Sequence, residues 1–297
     1  MEIVLLGTSS MVPTVERNHS SSWLKYENEN ILIDCGEGTQ RQIRKAKLSA
    51  MKITKILITH WHGDHILGLP GLFLTLGMQD FSGEIDIYVP KGTKENMHKM
   101  MDLFVGSDIG RYKIIEIEPG IFFENEKFKL EAKLLEHGIK TYGYSFIEKD
   151  KRKILMNKLK KAGLKPGPLI KNLQKGKDIV VNGKKFKAKD YTRLIRGKKV
   201  SFVSDTRKCK NAIELAKDSD ILFSEACYLK DFKDLAKQRM HMTAEDAAMV
   251  AKQAKAKKLV MVHFSQRYKD LKEFEKQAKK IFKNSQAGKD LEKFNLS

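Results

Sequence analysis

The chain has 297 residues, 41% apolar and 32% charged, and carries a net charge of +20 at neutral pH. That is enough apolar mass for one large domain or two ordinary ones, and the positive excess calls for an acidic partner, with nucleic acid or an anionic membrane surface leading. No apolar stretch approaches the roughly 20 residues of a membrane span, and the start MEIVLLGTSS lacks the basic leader and long apolar core of a signal peptide. Cys35, Cys209 and Cys227 form no CxxC pair and are expected as buried free thiols, so a cytoplasmic location is expected.

In chain order, β-branched runs predict strands over 2–6, 30–34, 55–59, 84–89, 113–118, 127–134 and 143–148, then over 199–204, 220–224 and 258–263. Helical periodicity falls between some of them, over 38–46, 67–79, 93–104, 211–218, 244–256 and 268–282. Thr243 stands before the 244–256 run with Asp246 three residues later, the spacing of a capping box. Strand pairs without helices, followed by strand–helix alternation in each half, predict two sheets between helix layers.

One segment departs from this pattern. Residues 151–199 hold fifteen lysines, three arginines and two aspartates, a charge of +16, while the other 248 residues carry only +4. Its few large apolar residues predict a solvated insertion unable to order itself by burial. The charge concentration predicts an arm that reaches for phosphates, with a contribution that falls steeply with salt.

The densest chemistry is ITHWHGDH at 58–65, which places His60, His62, Asp64 and His65 within six positions. Just after a strand, residues i and i+2 face the same way, so His60 and His62 can grip one metal ion while Asp64 and His65 reach a second. Gly63 lets the chain turn tightly enough to aim all four inward. Trp61 is either core packing or a wall of the site. A dinuclear site needs more ligands, and these are expected at the ends of later strands. His137, Asp205 and His263 each follow a predicted strand.

With SDTR at 204–207 and VHFSQRY at 262–268, the HWHGDH cluster resembles the metallo-β-lactamase superfamily. Within it, DCGEGTQRQI (34–43), the GPL-containing basic segment and HMTAEDAA (241–248) resemble the ribonuclease Z family of tRNA 3′-processing endonucleases, along nearly the whole chain. The resemblance implies an α/β fold, an αββα sandwich of two mixed sheets between helix layers. It implies a single domain over 1–297, with 151–199 inserted as a protruding tRNA-binding arm. It implies two zinc ions, with manganese as the alternative, and no organic cofactor. His60, His62 and His137 would hold one ion, Asp64, His65 and His263 the other, with Asp205 shared and Asp34 orienting a ligand.

The implied reaction removes the 3′ trailer from precursor tRNA and leaves a 3′-hydroxyl. Asp64 would accept a proton from the attacking water. His241 would protonate the leaving oxygen or stabilise the phosphorane oxygens, oriented by Glu225. Lys153, Lys158, Lys160, Lys161, Lys165, Gly167, Pro168, Lys171 and Lys175 of the arm, with Arg17 and Arg267, are the candidate RNA contacts. Family members are typically homodimers in which one subunit's arm serves the other's site. Three departures stand out: Val15 replaces the lysine of the P-x-K-x-R-N pattern, Met242 the serine of H-S-T, and Ser224 and Cys227 the ends of H-E-A-T. Two other readings are a hydrolase of thioesters or lactams, for which a basic arm has no use, and an RNA-binding module without catalysis, which has no need of seven ligands.

Overall fold

Nearly continuous burial along its strands builds the first half. The computed structural model describes residues 1–102, 111–164 and 167–296. Strands β1 (Glu2–Gly7), β2 (Ser21–Tyr26) and β3 (Glu29–Ile33) form an antiparallel meander. The sequence reading left β2 unassigned because SSWLKY is half polar. It is a strand because β1 and β3 pair with it on both sides, and only Lys25 is exposed. Helix α1 (Thr39–Lys45), β4 (Lys55–Leu57), the short α2 (Gly63–Ile66), α3 (Leu69–Gly77), β5 (Glu84–Pro90), α4 (Lys94–Asp102) and β6 (Arg111–Ile117) follow. The last two residues of the helix predicted over 93–104 lie outside the described residues.

The chain continues through β7 (Gly120–Glu124), which the sequence reading missed, β8 (Phe128–Leu135) and β9 (Thr141–Glu148). The lysine-rich stretch forms β10 (Lys151–Ile154), α5 (Met156–Lys161), α6 (Ile170–Gln174), β11 (Ile179–Val181), β12 (Lys184–Phe186), α7 (Ala188–Tyr191) and β13 (Thr192–Ile195). Then come β14 (Lys199–Val203), α8 (Lys210–Ala216), β15 (Ile221–Glu225), α9 (Lys233–Gln238), α10 (Ala244–Gln253), β16 (Leu259–Val262), α11 (Lys272–Ile281), β17 (Ser285–Ala287) and β18 (Lys293–Asn295). The predicted capping box opens α10: Thr243 Oγ1 accepts from the Asp246 amide at 3.2 Å, and Asp246 Oδ2 accepts from the Thr243 amide at 3.1 Å.

Two compact units result. The larger comprises Met1–Phe123, Leu130–Phe146 and Lys199–Ser297. It contains two seven-stranded sheets, ordered β18-β1-β2-β3-β4-β5-β6 and β17-β16-β15-β14-β9-β8-β7. In the first, antiparallel pairs give way to parallel ones from β3 to β6, and β14 to β17 are parallel in the second. Successive residues face opposite sides of each sheet. Val4 and Leu6 pack with Ile43 of α1 and Leu72 and Phe73 of α3. Leu222 and Met261 pack with α8, α10 and α11. Between the sheets, Phe223 stacks on Phe202 and meets Phe294 of β18 edge-on. Helix layers therefore cover the outer faces of two mixed sheets, the predicted sandwich.

The smaller unit comprises Glu124–Lys129 and Ile147–Lys198, and most of the segment expected as an arm lies in it. The expectation that this segment could not order itself is corrected. Leu159, Leu164, Ile170, Leu173, Ile179, Phe186 and Ala188 converge in a core of their own. β10 pairs with β13 and β11 with β12, both antiparallel. Composition alone misjudged it because these few apolar residues come from separate short elements and all point inward. Lys153, Lys158, Lys160, Lys161, Gly167, Pro168, Lys171 and Lys175 are exposed on this unit, and Lys165 lies outside the described residues.

Candidate metal centre

Strand β4 delivers the histidine cluster. Its exit is held by Asp34 at the end of β3, which accepts from the Thr59 amide and the Thr59 hydroxyl, each at 2.8 Å. Asp34 Oδ2 also meets His65 Nδ1 at 2.7 Å. Thr59 Oγ1 in turn contacts His60 Nδ1 at 2.9 Å. One carboxylate thus fixes two of the imidazoles, leaving their Nε2 atoms to face inward. Asp34 adopts φ 56° and His263 φ 62°, the left-handed region that side chains avoid, and strain of this kind collects at functional sites. The DCGEG stretch explains itself here. Gly36 crosses so close to α2 that a Cβ would lie 2.3 Å from the Asp64 carbonyl oxygen. The Cys35 amide donates to the His65 carbonyl at 2.7 Å, and the Gly68 amide to the Cys35 carbonyl at 2.8 Å.

Seven predicted ligands come together. His60, His62, His137 and Asp205 bring donor atoms within 4.8 Å of one another, and so do Asp64, His65, Asp205 and His263. Asp205 belongs to both groups: its Oδ2 is 3.6 Å from His60 Nε2, and its Oδ1 is 3.2 Å from His263 Nε2 and 3.4 Å from His65 Nε2. His62 Nδ1 is 3.1 Å from His60 Nε2 and 3.3 Å from His137 Nε2.

These contacts fit cations. Ring nitrogens about 2.05 Å from a tetrahedral zinc stand about 3.3 Å apart, close to both His62 contacts. Asp64 Oδ1 and His65 Nε2 are buried without a hydrogen-bond partner, a costly arrangement unless a ligand is shared there. With carboxylate and imidazole donors only, the set suits a divalent metal, and the chain is a divalent-metal binder of this fold.

The charges of the cluster act strongly on one another. Burial, with the facing His65, pushes the His60 imidazole well below its ordinary pKa and keeps it a neutral donor. Burial opposes ionisation of Asp64, but His65 and His263 outweigh it and hold the carboxyl far below the usual range. Asp205 is likewise held low, chiefly by His263, His65 and His60 against its burial. His65 is pushed up because Asp205, Asp34 and Asp64 outweigh its burial.

Beside the ligands, His241 Nδ1 contacts Glu225 Oε1 at 2.9 Å. Glu225 is fully buried and also accepts from the Thr206 and Met242 amides at 2.6 and 3.0 Å. Burial lowers the His241 pKa, but Glu225 more than offsets it and raises the pKa to about 9. A cavity of about 490 Å³ lies over the cluster, with His62, Asp64, His137, Asp205, His241 and His263 in its floor and Arg239, Gln266 and Arg267 in its wall.

Other expectations are placed differently. Arg17, a candidate RNA contact, is 6% exposed and donates from Nη2 to the carbonyls of Ser265 at 3.5 Å and Tyr268 at 2.8 Å. A guanidinium spent on backbone inside the fold is a brace for the loop after His263 and not a surface cation. Its neighbour Asn18 donates from its amide to Asp290 Oδ2 at 2.7 Å, and Asp290 also accepts from the Thr8 hydroxyl and from Gln42 Nε2. Trp61 packs against the α3 cluster, which settles its role as core packing. All three cysteines are free and buried, as expected. Sequence reasoning missed Thr59 and Tyr228, the latter a buried residue that lines the cavity. The only signal for Thr59 was its place between strand and first histidine.

Comparison with known proteins is decisive for kinship. A family model described as Anti-Pycsar protein Apyc1 matches residues 1–149, and a β-lactamase superfamily domain model matches residues 191–264. Along the whole chain, the ribonuclease Z of Listeria monocytogenes serotype 4a (strain HCC23) is 40% identical, covering 100% of this chain and 99% of that one. The ribonuclease Z of Ignicoccus hospitalis is 38% identical over 98% of this chain and 96% of its own. The chain belongs to the ribonuclease Z family. Human tRNase Z, short form, superposes with a TM-score of 0.74 at 28% identity, covering both chains fully. Among the described residues, no helix of this ribonuclease Z family member is long and apolar enough to cross a membrane.

Proposed function

We propose that this chain is a metal-dependent endoribonuclease that cleaves the 3′ trailer from precursor tRNA and leaves a 3′-hydroxyl. The observation that carries this reading is the pair of ligand groups sharing Asp205 beside the His241–Glu225 pair, in a chain that matches ribonuclease Z from end to end. His60, His62 and His137 would hold one zinc and Asp64, His65 and His263 the other, with Asp205 common to both groups. When bound, the metal would supply charge stabilisation at phosphorus and a nucleophile at neutral pH. Asp64 takes the proton of the attacking water. His241, kept protonated by Glu225, donates to the leaving 3′-oxygen. The exposed lysines of the smaller unit bind the tRNA backbone, and the enzyme works as a cytoplasmic homodimer.

The deciding assay is a 3′-extended tRNA precursor incubated with and without chelator, with the cut mapped. Cleavage at the end of the acceptor stem, abolished by chelation and restored by zinc, is the expected result. Undiminished cleavage in metal-stripped protein refutes the reading. Stripping should also lower Tm, because Asp64 Oδ1 and His65 Nε2 then stay buried and unpartnered.

His241→Ala should lower kcat about 100-fold while KM stays near its starting value, the mark of a group acting in the transition state. Glu225→Gln should act in the same direction but less, since it removes the orienting charge and keeps the imidazole. An unchanged kcat in His241→Ala takes that residue out of the mechanism.

A further inference from the structure

One wall of the cavity continues outward in a short ladder of rings and one cation. Tyr228 is buried, with its ring centroid 6.2 Å from that of His241. The Arg267 guanidinium carbon lies 5.3 Å from the Tyr228 ring centroid and 4.7 Å from that of Phe232. Arg267 is exposed and makes no ion pair among the described residues. Phe232 sits in the turn Lys230–Phe232 and keeps 41% of its surface exposed. Its own edge meets the Tyr268 ring, centroids 6.3 Å apart.

An exposed phenylalanine in a turn adds little to a core, and a phosphate contact alone needs no aromatic support. Here two rings lie beside an unpaired guanidinium that lines the reaction cavity. A planar cation so placed offers a stacking face as well as charge. The same cavity is also lined by Met11 and Val12, which are 54% and 43% exposed and bring apolar surface without charge. Rings, a cation and apolar side chains together suit a flat, apolar-faced group attached to a phosphate chain, which is a nucleobase of single-stranded RNA.

We propose that Phe232 and Arg267 form a stacking shelf for one nucleobase next to the scissile bond, which makes Phe232 a binding determinant for the RNA strand at the cut. This rests on the reading of the chain as an RNA-cleaving enzyme. Stacking of this kind tolerates any base, because every base has a π face, so the shelf sets the strand's position more than its sequence. The base belongs either to the mature acceptor end or to the departing trailer, and the same experiment separates the two.

Precursor tRNAs with a single abasic nucleotide at each of the two positions on either side of the cut are cleaved by the wild type, Phe232→Ala and Phe232→Trp. At one position the abasic change should raise the wild-type KM roughly 5- to 100-fold, the range of a lost base–aromatic stack. Phe232→Ala should raise KM by a similar factor on the intact precursor, with no further loss at that abasic position, while Phe232→Trp stays near wild type. A position 5′ of the cut assigns the shelf to the acceptor end, and one 3′ of it to the trailer. Penalties that multiply at every position, or an unchanged KM in Phe232→Ala, overturn the shelf. A wild type that cleaves no precursor at all overturns the underlying function instead. Should Phe232→Ala melt early, Phe232→Leu carries the same comparison with most of the side-chain volume kept.

Discussion

Asp205→Ala should reduce kcat on a 3′-extended tRNA precursor by about 1,000-fold or more, a larger loss than removal of a ligand confined to one group. The reason is its double membership. His60 on one side and His65 and His263 on the other face the two oxygens of this one buried carboxylate. Its loss takes a negative charge from both groups at once, among imidazoles that repel one another when charged or metal-bound. A deficit of about 4 kcal/mol in transition-state stabilisation corresponds to that factor, and metal charge contributes several kcal/mol in such sites. Metal content measured on the purified variant should drop for both groups. Asp205→Asn keeps the shape and loses the charge, so it should fall nearly as far. A variant that keeps full metal content and kcat would show that Asp205 bridges nothing.

Excision of residues 155–191 should raise KM for precursor tRNA at 0.15 M salt by about 100-fold and flatten its salt dependence. This cut follows the structure: Ile154 pairs with Thr192 across β10 and β13, so a short turn can close the hairpin. It removes eleven lysines and two aspartates, a net charge of +9. Each lost phosphate contact takes about 0.7–0.9 from the slope of log affinity against log salt, and a handful of contacts accounts for the expected KM change. The excised piece takes its own core with it, so the larger unit keeps both sheets and all seven ligands. Hydrolysis of a small phosphodiester such as bis(p-nitrophenyl) phosphate should be nearly unaffected. If both activities fall together, the lysine-rich unit serves the catalytic scaffold and not the substrate.

The metal cluster was legible in the sequence because its geometry is local twice over. His60, His62, Asp64 and His65 share one strand exit, and His137, Asp205 and His263 each stand at another, so position marked them as one set, while their division into two ligand groups came from the family resemblance. The central strands were legible for the same reason, as continuous β-branched runs. β2 was not, because its strand character comes from partners on both sides and not from its own polar residues. The small core of residues 147–198 was hidden because its members are scattered among lysines and converge only through tertiary turns. Arg17 is the reverse case. Its place in the P-x-K-x-R-N pattern suggested an RNA contact, and only the carbonyls of Ser265 and Tyr268 show that the fold itself uses it.

Asp290 gathers Thr8, Asn18 and Gln42, while β18 zips onto β1. Asp290, between β17 and β18, thus ties together the turn after β1, the segment before β2 and helix α1, so that Asp290→Ala should loosen four separate stretches of chain at once.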